Sequence, residues 1–227
     1  MSHIVDIFLQ PGRVFAEQKD RPTFLVPLLI VSAFGIALMV GYALSVDPAW
    51  YLEDALAASS QEMSAAEMEQ ARKFMPGAKV MGAISAAGFV VILGLITLLY
   101  ALCFWVAGKV AGNDVSFKHG MSLAAWSSMP TILGSVVALI GVFTMTPQTP
   151  LESLSLLNFD PLLVELPRDN PWSTLAKNFS LLTFWTVFLA ALGWKTWGRT
   201  RWLQAIVVAL LPNVLIYGAM ALYALLK

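Results

Sequence analysis

The sequence is poor in cysteine and in charge. The chain has 227 residues and a single cysteine, Cys103, which excludes a disulfide framework within one chain. Charged residues make up 12% of it, about half of the ~25% that is usual in soluble globular proteins. No basic cluster exceeds the one at residues 195–201, so we expect no nucleic-acid partner. The composition therefore argues against a soluble protein.

Motifs of catalysis are also missing. The chain contains no HExxH, no P-loop, no GxSxG and no pair of carboxylates within an apolar run. His119 and Ser122 could form a Ser–His pair on a helix, but no element for binding an oxyanion accompanies them. His119 follows Lys118 at the edge of an apolar run, and a position at the membrane interface explains it better. We predict a non-enzyme with no catalytic residue, no metal and no cofactor.

Long apolar runs are what the sequence has in abundance, with 58% hydrophobic residues. An apolar run of roughly 18 or more uncharged residues is typical of a transmembrane helix. The chain is predicted to be an all-α polytopic membrane protein, a five-span bundle with short interfacial and outer-loop helices. One membrane domain covers residues 23–227, and its spans lie at about 23–46, 80–108, 119–143, 174–194 and 202–226.

Loop charges predict the orientation of this bundle. If the N-terminus is cytoplasmic, the short inner loops carry more lysine and arginine than the long outer loops, as positive-inside orientation requires. The C-terminus then lies outside. Ionisable groups within spans usually mark ion or proton pathways, and here only His119 lies at an edge. This pattern argues against a proton- or sodium-coupled carrier.

Residues 1–22 are predicted to lie on the membrane surface as an amphipathic segment. Pro11 and Gly12 divide it into two short helical pieces, and Pro11 and Phe15 serve as interfacial anchors beside charged residues that suit headgroups. An anchor for the first span is favoured over a docking or regulatory element.

The long outer loops are predicted to fold into short helices. Asp47 followed by Pro48 is typical of a helix start, because aspartate caps free backbone amides and proline suits the first helical turn. Ser64 and Glu67 have the spacing of a capping box.

The third and fifth runs carry a proline near their middle. Pro130 and Pro212 should each kink their helix, since proline removes one backbone donor. Both lie at a similar distance from the inner end of their span, so the kinks should share a depth. One hypothesis is that neutral polar side chains gather there as a ligand site at the midplane. Plain helix packing is the favoured explanation, because membrane helices tolerate proline readily. The candidate residues are Ser127, Ser128, Thr131, Asn213 and Tyr217.

With these features in place, the chain resembles the Yip (Ypt-interacting protein) membrane domain family in its short prokaryotic form. The resemblance is carried by Pro11 and Phe15 before the first span, the short loop 112–118, the Trp-Ser-Ser-Met-Pro pattern at 126–130 and Pro212. It implies a five-span helical protein without established catalysis in a bacterial inner membrane. Eukaryotic relatives act in vesicle trafficking and bind Rab-type GTPases through cytosolic surfaces. This chain has only about twenty residues before its first span, so GTPase binding is not carried over.

Two functions follow from these features. The first is a non-catalytic scaffold or interaction protein, with the lipid bilayer, copies of itself or other membrane proteins as partners. Its basis is the small-residue faces, the interfacial N-terminus and the folded outer loops. In the second span, Gly82 and Ala86, and Ala83 and Ala87, have the spacing that lets helices approach closely. The alternative is passage of a neutral solute or lipid through the polar midplane site between the third and fifth spans.

Overall fold

The structure, a computed structural model, describes residues 3–59, 64, 69–70 and 73–226. Within these ranges the chain is helical, without a strand beyond one bridge between Asn158 and Ser180. The predicted all-helical class is confirmed. The elements are α1 (His3–Leu9), α2 (Pro11–Asp20), α3 (Leu25–Ser45), α4 (Pro48–Ser59), α5 (Ala78–Val110), α6 (Phe117–Ser127), α7 (Thr131–Thr144), a 3-10 turn (Leu151–Leu154), α8 (Phe159–Leu162), α9 (Ser173–Asn178), α10 (Leu182–Gly198) and α11 (Trp202–Leu226).

Four stretches of helix are long and apolar enough to cross a membrane by length and composition: α3, α5, the joined α6 and α7, and α11. The predicted fourth span at 174–194 is not one continuous helix. It divides into α9 and α10, because the chain leaves the helix around Phe179, where the amide of Phe159 donates to its carbonyl at 2.8 Å. The remaining helix, α10, has 17 residues.

The bundle has two ends that are built differently. The N-terminal face is the end covered by α1 and α2, and the loop face is the end formed by α4 and residues 145–181. Between them α3 packs against both α5 and α7, α5 packs against α6, and α10 packs against α11 and α2.

Phe15 is buried by protein on the N-terminal face. The sequence predicted that this residue anchors the chain in the membrane interface, whereas its side chain is fully buried among Ile7, Leu123 and Trp194 in the main core. Its carbonyl accepts a hydrogen bond from Nε1 of Trp197 at 2.6 Å. An apolar helix face can be covered by lipid or by protein, and here the bundle covers it. Pro11 begins α2 immediately after the junction with α1.

One close helix contact fixes the position of the third span. An added Cβ at Gly120 would lie 2.5 Å from the backbone oxygen of Ala101, so the backbones of α5 and α6 touch at a position where only hydrogen fits. Small residues allow this approach between membrane helices.

The loop face follows the predicted helix starts in part. Asp47 caps α4, since its Oδ1 accepts hydrogen bonds of 2.8 Å from the amides of Ala49 and of Trp50. The predicted capping box at Ser64 and Glu67 lies outside the described residues, because Glu67 is not among them. Further along, Arg168 contacts Asp54 at 2.9 Å and Glu152 at 3.4 Å. The ion pair between Arg168 and Asp54 joins the two outer loops.

The two prolines act differently on their helices. The helix of the third span stops before Pro130, where residues 128–130 form a turn between α6 and α7. α11 instead continues through Pro212 as a single helix. The structure therefore breaks the third span at its proline and leaves the last span helical.

A cavity between the third and last spans

A partly open cavity of about 440 Å³ lies inside the bundle. This volume falls in the range of roughly 300–1,000 Å³ that is common for small-molecule sites. Its walls come from α3, α5, the third span, α10 and α11, and residues of the loop face close one end. All five side chains that the sequence proposed for a midplane site line it: Ser127, Ser128, Thr131, Asn213 and Tyr217.

The break at Pro130 brings the first three of these residues to the cavity. Pro130 has no amide proton, so the preceding turn must satisfy its carbonyls by other means. The hydroxyl of Ser128 donates to the carbonyl of Ala125 at 2.8 Å, and that of Thr131 donates to the carbonyl of Ser128 at 2.7 Å. Such bonds are how serine and threonine stabilise interrupted helices in membranes. Each hydroxyl keeps its lone pairs for a further partner.

Ser127 differs from its neighbours because its hydroxyl is unpartnered. The side chain is 4% exposed and lines the cavity, and its Oγ has no hydrogen-bond partner within the described residues. A buried polar group that makes no hydrogen bond costs about 1–3 kcal/mol. The cavity wall therefore contains one hydroxyl group, that of Ser127, that makes no hydrogen bond with the protein.

Asn213 is held in the cavity wall by two hydrogen bonds. Its Oδ1 accepts from the hydroxyl of Tyr100 at 2.8 Å, and its Nδ2 donates to the carbonyl of Ala209 at 3.1 Å. One turn further along α11, the hydroxyl of Tyr217 donates to the carbonyl of Asn178 at 3.3 Å. These bonds orient both side chains, so the polar wall is formed before any ligand binds.

Further polar residues line the cavity that the sequence did not single out. They are hydroxyl and amide side chains from α5, α7, α10 and the loop face: Thr97, Tyr100, Ser135, Thr183, Thr186 and Asn158. Thr97 and Tyr100 lie three residues apart in an otherwise apolar span, and this spacing on one helix face was the available signal. The loop-face residues carry no such signal, because they reach the cavity only through the folding of residues 145–181.

The lining is neutral throughout. Apolar side chains of α3 and α5 face the polar wall, and none of the lining residues is Asp, Glu, Lys, Arg or His. Across the described part of the chain, no group of three or more His, Cys, Asp or Glu could hold a metal ion. The arrangement suits an uncharged molecule that offers apolar surface on one side and hydrogen-bonding atoms on the other.

His119 and Ser122 are paired with other groups and not with each other. The hydroxyl of Ser122 donates to Oε1 of Gln18 at 3.0 Å. His119 has its Nδ1 2.7 Å from the Ser116 hydroxyl and its Nε2 2.9 Å from the carbonyl of Lys19. A carbonyl only accepts, so Nε2 carries the proton and His119 fastens α2 to the start of α6.

Helices of membrane-spanning length around a neutral cavity define a polytopic helical membrane protein. A family model described as the Yip1 domain matches residues 5–225. The chain is 30% identical over 207 residues to "Membrane protein YknW" of Bacillus subtilis (strain 168), a match that covers 89% of this chain and 83% of that protein. No solved structure matches the chain. The protein belongs to the Yip1 domain family, and the resemblance found in the sequence is confirmed.

Proposed function

We propose that this protein is a non-catalytic member of its family that binds a neutral, largely apolar ligand in the cavity between the third and last spans. The cavity carries the proposal, since its polar side chains are neutral, Ser127 and Asn213 among them are buried, and hydrogen bonds of the protein position Ser128, Thr131 and Asn213. At the same place, the hydroxyl of Ser127 has no hydrogen-bond partner in the protein and is available to a ligand. The sequence favoured a scaffold, and the cavity favours ligand binding or passage.

The same proposal includes the topology. α10, completed by the loop face, is the fourth of five spans, and its 17 residues measure about 26 Å at ~1.5 Å per residue. The hydrocarbon core is about 30 Å thick, and a short helix is accommodated by local thinning of the bilayer. The N-terminal face lies in the cytoplasm and the C-terminus outside, in a bacterial inner (plasma) membrane.

Molecules retained by the purified protein test the ligand site. Ser135 lines the cavity, so Ser135→Phe should fill it, while Val91→Phe adds the same ring to a side chain that is 61% exposed on α5. We expect a neutral molecule to copurify with the unchanged protein and with Val91→Phe, and to be lost from Ser135→Phe. Equal retention by all three proteins would contradict a ligand in the cavity.

Passage through the cavity is tested separately from binding. Purified protein in liposomes should exchange a neutral solute or a lipid faster than empty liposomes do, and Asn213→Leu together with Ser127→Ala should slow the exchange. If exchange is no faster than in empty liposomes, the protein binds a ligand in the cavity but does not transport it. If Asn213→Leu and Ser127→Ala change neither the stability of the protein nor its bound ligand nor the exchange, the hypothesis of a ligand site is excluded.

A scaffold is the second candidate, and the long helix α5 supports it. Gly82 and Ala86 are buried, and an added Cβ at Gly82 would meet Ala43 of α3. The matching pair, Ala83 and Ala87, stays exposed, which is where another copy or another membrane protein could pack. Crosslinking in native membranes from cysteines placed at Ala83 and at exposed Val207 tests this candidate. Contacts should form from Ala83 alone, and recovery of no contact from it would exclude the scaffold surface.

A further inference from the structure

We propose that the ligand is a neutral lipid with a free hydroxyl group, which binds beside Ser127 at the break in the third span. This inference rests on the proposed function and specifies the chemistry of the same cavity. It follows from a count of hydrogen-bond donors and acceptors on the polar wall, and from the apolar wall that faces it.

The polar wall offers mainly acceptors. A hydroxyl group has one proton to donate and two lone pairs with which to accept. Ser128 and Thr131 donate their protons to backbone carbonyls, and Tyr100 donates its proton to Asn213. The lone pairs of Ser128 and Thr131 and one lone pair of the Asn213 carbonyl oxygen stay available, so a ligand gains most by donating a proton.

Ser127 supplies the complementary donor. Its hydroxyl has no partner, so it can donate to a ligand oxygen at no loss to the protein. An alcohol donates and accepts through a single oxygen and can use both kinds of group. An ether or an ester only accepts, and leaves the acceptors of the wall unused. A carboxylate would bring a charge to a cavity without a cation, where an unpaired charge is strongly disfavoured.

The opposite wall shows why the alcohol is a lipid. The cavity is also lined by apolar side chains, Phe89, Leu93 and Ile96 of α5 and Val31 and Leu38 of α3, and burying apolar surface against them is favourable. α5 also presents Val91, Leu95 and Leu98 outwards, where they are exposed. The helix that forms the apolar wall is therefore itself bordered by the membrane. A water-soluble sugar or polyol would leave this wall uncovered.

The loop face closes one end of the cavity, and side chains near the N-terminal face close the other end. Gln18 accepts from Ser122 and from the amide and hydroxyl of Thr23, and Nε1 of Trp126 donates to the carbonyl of Thr23 at 2.9 Å. Trp126 and Ser122 are almost fully buried. This seal lies on the third span between the cavity and the N-terminal face, so a ligand from the bilayer fits better than one from the aqueous phase.

Photolabelling distinguishes the hydroxyl from the rest of the ligand. The probes are hexadecanol carrying a diazirine and its methyl ether, which differ only at the oxygen. Each is added to the full-length protein in phosphatidylcholine nanodiscs, and the labelled peptides are mapped. We expect the alcohol to label residues that line the cavity, and the ether to label them several-fold less.

Ser127→Ala decides the role of the serine. One hydrogen bond is worth about 0.5–1.5 kcal/mol, so alcohol labelling should fall by roughly twofold to tenfold, while ether labelling also falls through loss of the same donor. The folded protein should be as stable as the original or more stable, because the buried hydroxyl is unpartnered without ligand. A stable variant with unchanged alcohol labelling would overturn the proposal.

The remaining outcomes separate this inference from the proposed function. Equal labelling by alcohol and ether would overturn recognition of the hydroxyl and leave a neutral-ligand cavity standing. Labelling confined to residues outside the cavity, or undiminished in Ser135→Phe, would overturn both. Val91→Phe serves as the matched control, since it adds a ring to the outer surface of α5.

Discussion

The hydroxyl of Tyr100 donates to Oδ1 of Asn213 at 2.8 Å, joining α5 to α11 in the wall of the cavity. Asn213 is 6% exposed and follows Pro212, whose missing amide proton leaves a carbonyl of the preceding turn unpaired. The side-chain nitrogen Nδ2 of Asn213 donates to the carbonyl of Ala209, the residue that follows Val208, whose carbonyl Pro212 leaves without its helical donor. Asn213 therefore makes one hydrogen bond within α11 and one that connects α11 to α5.

Replacement of Asn213 should destabilise the bundle. Asn213→Leu keeps a similar volume but removes both hydrogen bonds and leaves the partly buried Tyr100 hydroxyl without its partner, and such a loss costs about 1–3 kcal/mol. The free energy of unfolding, measured by reversible denaturation in mixed micelles, should fall by this amount. A double-mutant cycle with Tyr100→Phe should give a coupling of about 0.6 kcal/mol, and at most ~1.7. A coupling of zero would show that the contact contributes nothing.

Gln18 should control the docking of the N-terminal helices. Its Oε1 accepts from the amide and hydroxyl of Thr23 at 2.7 and 2.9 Å and from Ser122 at 3.0 Å. Gln18→Leu leaves the buried Ser122 hydroxyl unpaired, and the cost is about 1–3 kcal/mol. Hydrogen exchange of residues 3–20 should speed up, since local opening becomes easier.

The matched control for this variant is Gln204→Leu. Gln204 is exposed on α11, so the same change of side chain there should leave hydrogen exchange of residues 3–20 unaltered. If both variants behave alike, the Gln18 hydrogen bonds do not hold the N-terminal helices in place.

The sequence predicted the polar wall better than it predicted the N-terminal face. Pro130 marks a helix break locally, and helical spacing then places Ser127 and Thr131 on neighbouring turns, so local rules were sufficient. Phe15 could not be placed in the same way, because an amphipathic pattern states that a face is apolar without stating what covers it. Gln18 reads as an exposed polar residue for the same reason, since its partner Ser122 lies 104 positions away.

The fourth span shows a related limit of the sequence. Residues 174–194 have the composition of one apolar helix, yet the chain turns around Phe179. The amide of Leu181 donates to the carbonyl of Leu157 at 2.9 Å, and the Ser180 hydroxyl donates to the same carbonyl at 3.0 Å. These hydrogen bonds to a distant segment compete with those of the helix. The composition of residues 174–194 alone cannot predict them.

Gly120 should tolerate no side chain. A Cβ there would lie 2.5 Å from the backbone oxygen of Ala101, and a backbone cannot move aside as a side chain can. Gly120→Ala should lower the free energy of unfolding by about 1–3 kcal/mol, as overpacking does. Gly94→Ala is the control, because an added Cβ meets nothing within 4 Å and alanine favours the helix by up to ~1 kcal/mol. Equal effects of the two variants would contradict the close contact between α5 and α6.

Acid should loosen α1 from α2 through Glu17. Its carboxylate lies 2.7 Å from Nε2 of His3 and 3.1 Å from Nε of Arg13. The hydrogen bond with His3, and then that with Arg13, holds the pKa of Glu17 below its ordinary value of 4.5. A carboxylate with a lowered pKa stabilises the folded state above that ordinary value, and this stabilisation is lost as the pH falls through the lowered pKa.

A spin label tests this pH dependence directly. The label is attached at Leu9, which is 68% exposed, in a Cys103→Ser background, and its mobility should rise as the pH falls below 4.5. Glu17→Gln should be mobile already at neutral pH and should lose the acid step, because glutamine carries no proton to gain in this range. Asp20→Asn, at an exposed acid on the same helix, should keep the step. An acid response that persists in Glu17→Gln would assign it to another group and would break the link between this carboxylate and the docking of α1.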